Sequence, residues 1–202
     1  MLKTIAIVIV VLLAVILGYA ATRPDTFKVE RSATMNAPPE VVFALINDFK
    51  TWTAWSAYET KDPNMKRTYG GAETGVGATY AWDGNSDIGA GSMVIAESVP
   101  ATRIKIDMHF TRPMDARNDA VFVLTPDGNG TKVNWSMSGE SAFMFKLMSL
   151  FFNMDKMIGA DFETGLAAMK AVAEKTAAEN AAAAAAATPA EGAAPASTDK
   201  PQ

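Results

Sequence analysis

Residues 140–170 read ESAFMFKLMSLFFNMDKMIGADFETGLAAMK. Apolar side chains recur at Met144, Leu147/Met148, Phe151/Phe152, Met154, Met157/Ile158, Phe162, Leu166 and Met169. That is helical spacing, and it predicts one long helix over this stretch. In the first half the apolar arc spreads past a single face. Phenylalanine and methionine dominate it, and methionine adapts to irregular partners. A helix of this kind reads either as ordinary core or as the lid of a sheet that encloses something apolar.

The residues upstream supply the sheet. Residues 27–35 alternate in part and predict a strand, stopped by Asn36-Ala-Pro-Pro. Pro38 and Pro39 suit the start of a helix, which Val41, Val42, Leu45, Ile46 and Phe49 continue as an amphipathic face. A further turn carries Trp52 and Trp55. Strands are then expected at 66–69, 76–82, 91–99, 103–111, 116–125 and 132–140, with turns at Asp83-Gly-Asn-Ser, Pro100-Ala-Thr and Pro126-Asp-Gly-Asn-Gly between several of them. Residues 103–111 alternate cleanly, with Ile104, Ile106, Met108 and Phe110 on one side and Arg103, Lys105, Asp107 and His109 on the other. Strands running by hairpins with segregated helices imply an α+β domain: a curved antiparallel sheet of about six to seven strands gripping a long C-terminal helix. Glycines at 70, 71, 75, 77, 89 and 91 fit the bends that such curvature needs.

The ends of the chain differ from its middle. Residues 4–21 carry no charge and would cover about 26 Å as a helix, close to a bilayer core. Residues 1–22 are therefore read as an N-terminal transmembrane anchor in preference to a cleaved signal peptide, whose apolar region is shorter. Residues 23–26 form a linker and residues 27–174 the folded domain. Residues 175–202, rich in alanine and proline, are expected to be a largely disordered tail, although alanine also allows the helix to extend into it. A single-pass position in a bacterial inner membrane follows, with the domain on the periplasmic side. The 202 residues carry a net charge of −4, so no nucleic-acid partner is expected. No cysteine and one histidine exclude disulfides, thiol chemistry and a multi-histidine metal site; no cofactor or metal is expected.

Several segments, in this order and spacing, are similar to one known family. They are WTAWS (52–56) with KDPNMK (61–66), GVGATYAW (75–82) with GAGSM (89–93), GTKVNWSMSG (130–139) and GADFETGL (159–166). Over residues 27–174 the chain resembles the SRPBCC or START-like helix-grip superfamily, in its polyketide cyclase/dehydrase-like branch. The resemblance implies a hydrophobic cavity for a lipid or another apolar small molecule. It transfers no catalytic motif residue by residue, and fold alone does not fix function.

If the apolar sheet face lines such a pocket, its residues are Tyr80, Trp82, Met108, Phe110, Phe122, Trp135 and Met137, with Met148, Phe152, Phe162 and Leu166 from the helix. The alternative is that the same residues fill a core. Asp155 lies within the stripe: facing a cavity its carboxyl would have a raised pKa and could act as an acid or base, whereas at the stripe's edge it would face water, Lys156 or Lys146. His109 belongs to the polar side of its strand. Glu59, Asp62 and Arg112 are expected as solvated loop charges, with guarding of a pocket mouth as the other reading. Trp52 and Trp55 pack under the short helices or form that mouth. Three functions stay open: a membrane-anchored binder of a hydrophobic small molecule or lipid, a cyclase, dehydratase or hydrolase using Asp155 or Tyr80, and an interaction module with a filled cavity.

Overall fold

The computed structural model describes residues 1–187. A 20-residue helix α1 (Leu2–Ala21), long and apolar enough to cross a membrane, precedes the domain. Strand β1 (Thr26–Met35) follows. Pro38 caps helix α2 (Pro39–Asn47) with Pro39 in its first turn, as the sequence suggested. A 3₁₀ segment (Phe49–Ala54) and helix α3 (Ala57–Lys61) complete the insertion. Six strands come next: β2 (Lys66–Gly71), β3 (Ala78–Asp83), β4 (Ala90–Val99), β5 (Arg103–Arg112), β6 (Ala116–Asp127) and β7 (Gly130–Glu140). The seven strands form one antiparallel sheet in the order β1-β7-β6-β5-β4-β3-β2. Val76, expected to begin a strand, stays outside β3 and is exposed.

The long helix is not continuous. Helix α4 (Phe143–Met148) ends in a turn, and helix α5 (Met154–Ala187) starts anew. The cause is local. The Ser149 hydroxyl donates back to the Lys146 carbonyl at 2.7 Å, and the Asn153 side chain accepts from the Lys156 amide at 2.9 Å. Asn153 is thus an N-cap bonding to the third helical residue, which fixes where α5 begins. The over-wide apolar arc of the sequence belongs to two helices and a turn. Only from Ile158 onward does it become a packing stripe, with Phe162, Leu166, Met169 and Ala173 buried. The helix runs on through the alanine run to Ala187, past the expected boundary at 174; the disorder expected of 188–202 lies outside the described residues.

Two helix glycines let α5 lie close to the sheet. A Cβ at Gly159 would meet the Arg31 guanidinium at 1.9 Å, and one at Gly165 would sit 3.1 Å from the Trp135 ring. Both belong to the GADFETGL segment. Inside, Trp135 stacks on Phe162 (3.9 Å between centroids, 8°) and on Phe122 (4.9 Å), while Trp55 meets Phe122 edge-on at 6.2 Å. These rings are in van der Waals contact, so this half of the sheet–helix interior is packed core.

Candidate functional site

The antiparallel register aligns the inward side chains in rows across the sheet. One row runs Phe27, Gly139, Asn118, Met108, Met93, Tyr80. Towards the end of the sheet where β1 begins, the next contains Phe110, Gly91 and Trp82. In the deeper rows Ile106 and Ile104 are fully buried, with Ile95, Ala120, Phe122 and Trp135 buried beside them. At this end Phe27, Trp82, Met108, Phe110 and Asn118 stay partly exposed. Gly91 makes room here: a Cβ would lie 2.6 Å from both the Trp82 ring and the His109 carbonyl oxygen, so only glycine lets the indole cross the strand. Trp82 then meets Phe110 edge-on at 5.4 Å and donates its Nε1 proton to the Ile88 carbonyl at 3.1 Å.

Two buried polar atoms on this concave face have no hydrogen-bond partner among the described residues: Asn118 Oδ1 and Trp135 Nε1. Trp135 is sealed in the aromatic stack. Asn118 sits in the open row between Met108 and Gly139, where an unpaired acceptor among apolar side chains carries a desolvation cost unless a donor meets it. Beside the row's β1 end lies a cleft of about 480 Å³ lined by Phe27, Phe145, Leu150, Phe151, Phe152 and Asp155 among others. Phe27 belongs to both the row and the cleft, and it stacks on Phe145 of α4 at 4.9 Å.

The structure thus sorts the sequence-predicted residues into three sets. Tyr80, Phe122, Trp135, Met137, Phe162 and Leu166 are buried in the core, and Trp82, Met108 and Phe110 form the open apolar end. Met148 and Phe152 are exposed, Phe152 at 56%, because they fall at and after the end of α4, and Phe152 borders the cleft beside Phe27.

Asp155 is at the surface, on the rim of that cleft, and its carboxylate is held by an arginine. Arg31, an inward position of β1 opposite Trp135, reaches across to α5. Its Nη1 and Nη2 donate to the two carboxylate oxygens of Asp155 at 3.2 and 3.0 Å, and its Nε donates to Glu163 at 2.7 Å. Further bonds go to the carbonyls of Asp155 and Glu30. Neither Lys146 nor Lys156 is the partner. The guanidinium holds the Asp155 carboxyl below its ordinary pKa, the reverse of the shift that an apolar pocket would give. The pair is a clamp that ties the first turns of α5 to the sheet. Because the folded-state pKa is depressed, its stabilisation is present above the unfolded value of about 3.9 and is lost as pH falls through the folded one. Acid titration of the full chain followed by circular dichroism should therefore show a loss of stability below about pH 4 that is smaller in Asp155→Asn. Equal acid sensitivity in both proteins would remove the clamp's role. The effect is modest, since the carboxylate is 59% exposed.

Glu59 is no solvated loop charge. It lies in α3 with its side chain 8% exposed, paired with Arg67 at 2.6 Å and accepting from the Tyr80 hydroxyl at 3.1 Å. Burial, then the Glu59 charge, pushes the Tyr80 hydroxyl's pKa well up, so it stays protonated as a structural donor. Asp62 caps a loop by accepting from the Asn64 and Asn85 amides, and Arg112 pairs with Asp83. His109 is on the polar face as expected, 2.9 Å from Asp115. Trp52 and Trp55 are core: their indole protons go to the Ile46 and Leu45 carbonyls at 3.0 and 2.9 Å.

Comparison with known proteins places this geometry. Several solved structures share the fold. CV1439 from Chromobacterium violaceum has a TM-score of 0.53 at 16% identity, covering 75% of this chain and 99% of its own. MLL2253 from Mesorhizobium loti has 0.52 at 17%, covering 74% and 98%. The di-domain ARO/CYC StfQ from the steffimycin biosynthetic pathway has 0.56 at 11%, covering 76% of this chain and 52% of that one. At such identities the likeness is one of fold. No curated protein matches the chain. The family profile described as polyketide cyclase / dehydrase and lipid transport matches residues 26–174. With its seven-stranded sheet wrapped on a C-terminal helix, the chain belongs to that family and carries its hydrophobic-ligand-binding SRPBCC fold.

Proposed function

We propose that this protein is a membrane-anchored binder of a hydrophobic small molecule or lipid, held at the end of the concave sheet face where β1 begins. The observation that carries the reading is the cluster of partly exposed apolar side chains on two adjacent rows, Trp82, Met108 and Phe110, with the unpaired acceptor of Asn118. Apolar pockets with a few placed polar groups are the usual form of small-molecule sites. The family's association with lipid transport supports the same chemistry. Affinity comes from burial of apolar surface, about 25 cal/mol per Å² before ordering costs, and Asn118 selects a guest with a hydroxyl or acid proton. Full-length protein stripped of lipid and then exposed to fatty acids, isoprenoids and phospholipids should take up one guest per chain in native mass spectrometry. Uptake of none of them would overturn the reading.

Helix α1 supports the membrane placement by length and composition. We place it as a single pass in a bacterial inner membrane, with the domain on the periplasmic side. Protease added to intact spheroplasts should then digest the domain; full protection would reverse the orientation.

A further inference from the structure

We propose that α4 and the turn after it, residues 143–153, are sunk into the surface of the same bilayer that α1 crosses, so that the candidate site opens directly onto lipid. This rests on α1 being a membrane span. Helix α4 packs against α1. Ile16 and Ala20, one turn apart, are the two residues of α1 that lose exposure. Ile16 lies roughly 7 Å before the end of a helix about 30 Å long, at 1.5 Å per residue. A helix touching that level sits at the boundary of a hydrocarbon core of about 30 Å, not above it.

The side chains suit that depth. Phe143, Met144, Met148, Phe151 and Phe152 are all large, apolar and exposed, a cluster that a water-facing surface rarely shows. The anchoring geometry is short: residues 22–25 join α1 to β1 and span at most about 14 Å extended. They hold the start of β1 near the bilayer, and the antiparallel register brings the ends of β3, β5 and β7 to the same side. Met114, exposed in the β5–β6 loop, lies at that end too. Arg23, just past the span, is positioned for headgroup phosphates. Lys146, the one charged residue of α4, is folded inward onto Asp25 and does not interrupt the apolar surface.

The chain has no cysteine, so single cysteines report cleanly. Full-length Met144→Cys and Phe151→Cys, labelled with an environment-sensitive fluorophore and reconstituted in phosphatidylethanolamine/phosphatidylglycerol vesicles, are compared with two references. Ile9→Cys marks the span. Asn129→Cys marks the β6–β7 turn at the opposite end of the sheet. Expected is loss of most of the fluorescence at 144 and 151 with lipids carrying a nitroxide high on the acyl chain, protection from aqueous iodide, and neither effect at 129. Quenching at 9 with 144 and 151 open to iodide would overturn the inference and leave the anchor standing. No quenching at 9 would overturn both.

Discussion

Replacing Phe162 with alanine lowers the stability of the full chain by about 3–5 kcal/mol, whereas Phe152→Ala changes it by less than about 0.5 kcal/mol. The two phenylalanines occupy one run of sequence, and periodicity alone ranks them equally. Their surroundings differ. Phe162 is 1% exposed and lies flat against Trp135, which in turn lies against Phe122. Deleting its ring removes a large buried area and leaves the indole face against a void that rigid neighbours on β6 and β7 cannot fill. In a domain of this size that loss corresponds to a fall in melting temperature of roughly 6–20 °C. Near-UV circular dichroism is a suitable readout, because Trp52, Trp55 and Trp135 all belong to the buried cluster. Comparable losses from both substitutions would mean that Phe152 is packed as core and that the break between α4 and α5 is misplaced.

That break also shows where the sequence stops being readable. The strands were legible because most alternate with period two, residues 103–111 most cleanly, and most end in glycine-, proline- or asparagine-rich turns. The α+β class and the helix over the sheet follow from the same pattern. Residues 143–153 were not, because so dense an apolar run, interrupted only by Lys146 and Ser149 before Asn153, satisfies a helical template at nearly any phase. The available signal was Asn153 followed by Asp155, an N-cap with an acidic first turn, and the apolar density around it masks it. The partner of Asp155 was hidden for a different reason. Arg31 is 124 positions away, so no local spacing reveals the clamp. Glu59 and Arg67 are close in sequence, but their pairing depends on α3 docking over β2 and β3. Asn118 is the opposite case. It went unmarked in the sequence although it shares the period of Ala120, Phe122 and Leu124 on β6, and a polar residue at that inward phase is the signal that could have found it.

Phe110→Asp should weaken uptake of the apolar guest about 100-fold, with little change in fold. Phe110 is partly exposed at the end of β5, so the domain does not depend on it as it depends on Phe162. A bound guest, by contrast, would lie against its ring. Losing that contact forfeits about 2–3 kcal/mol of apolar burial, and each 1.4 kcal/mol is tenfold in affinity. The carboxylate adds a desolvation cost in the same place. Phe110→Leu keeps most of the apolar area and should bind within about tenfold of the parent. Asn118→Leu separates the two halves of recognition: guests with a hydroxyl or acid proton lose roughly tenfold, about the worth of one hydrogen bond, while plain hydrocarbons do not. Native mass spectrometry over a concentration series reads all three. If Phe110→Asp binds as the parent does, the guest does not rest on this end of the sheet; because Trp135 and Phe162 leave no gap between them, any remaining site would have to open elsewhere on the concave face.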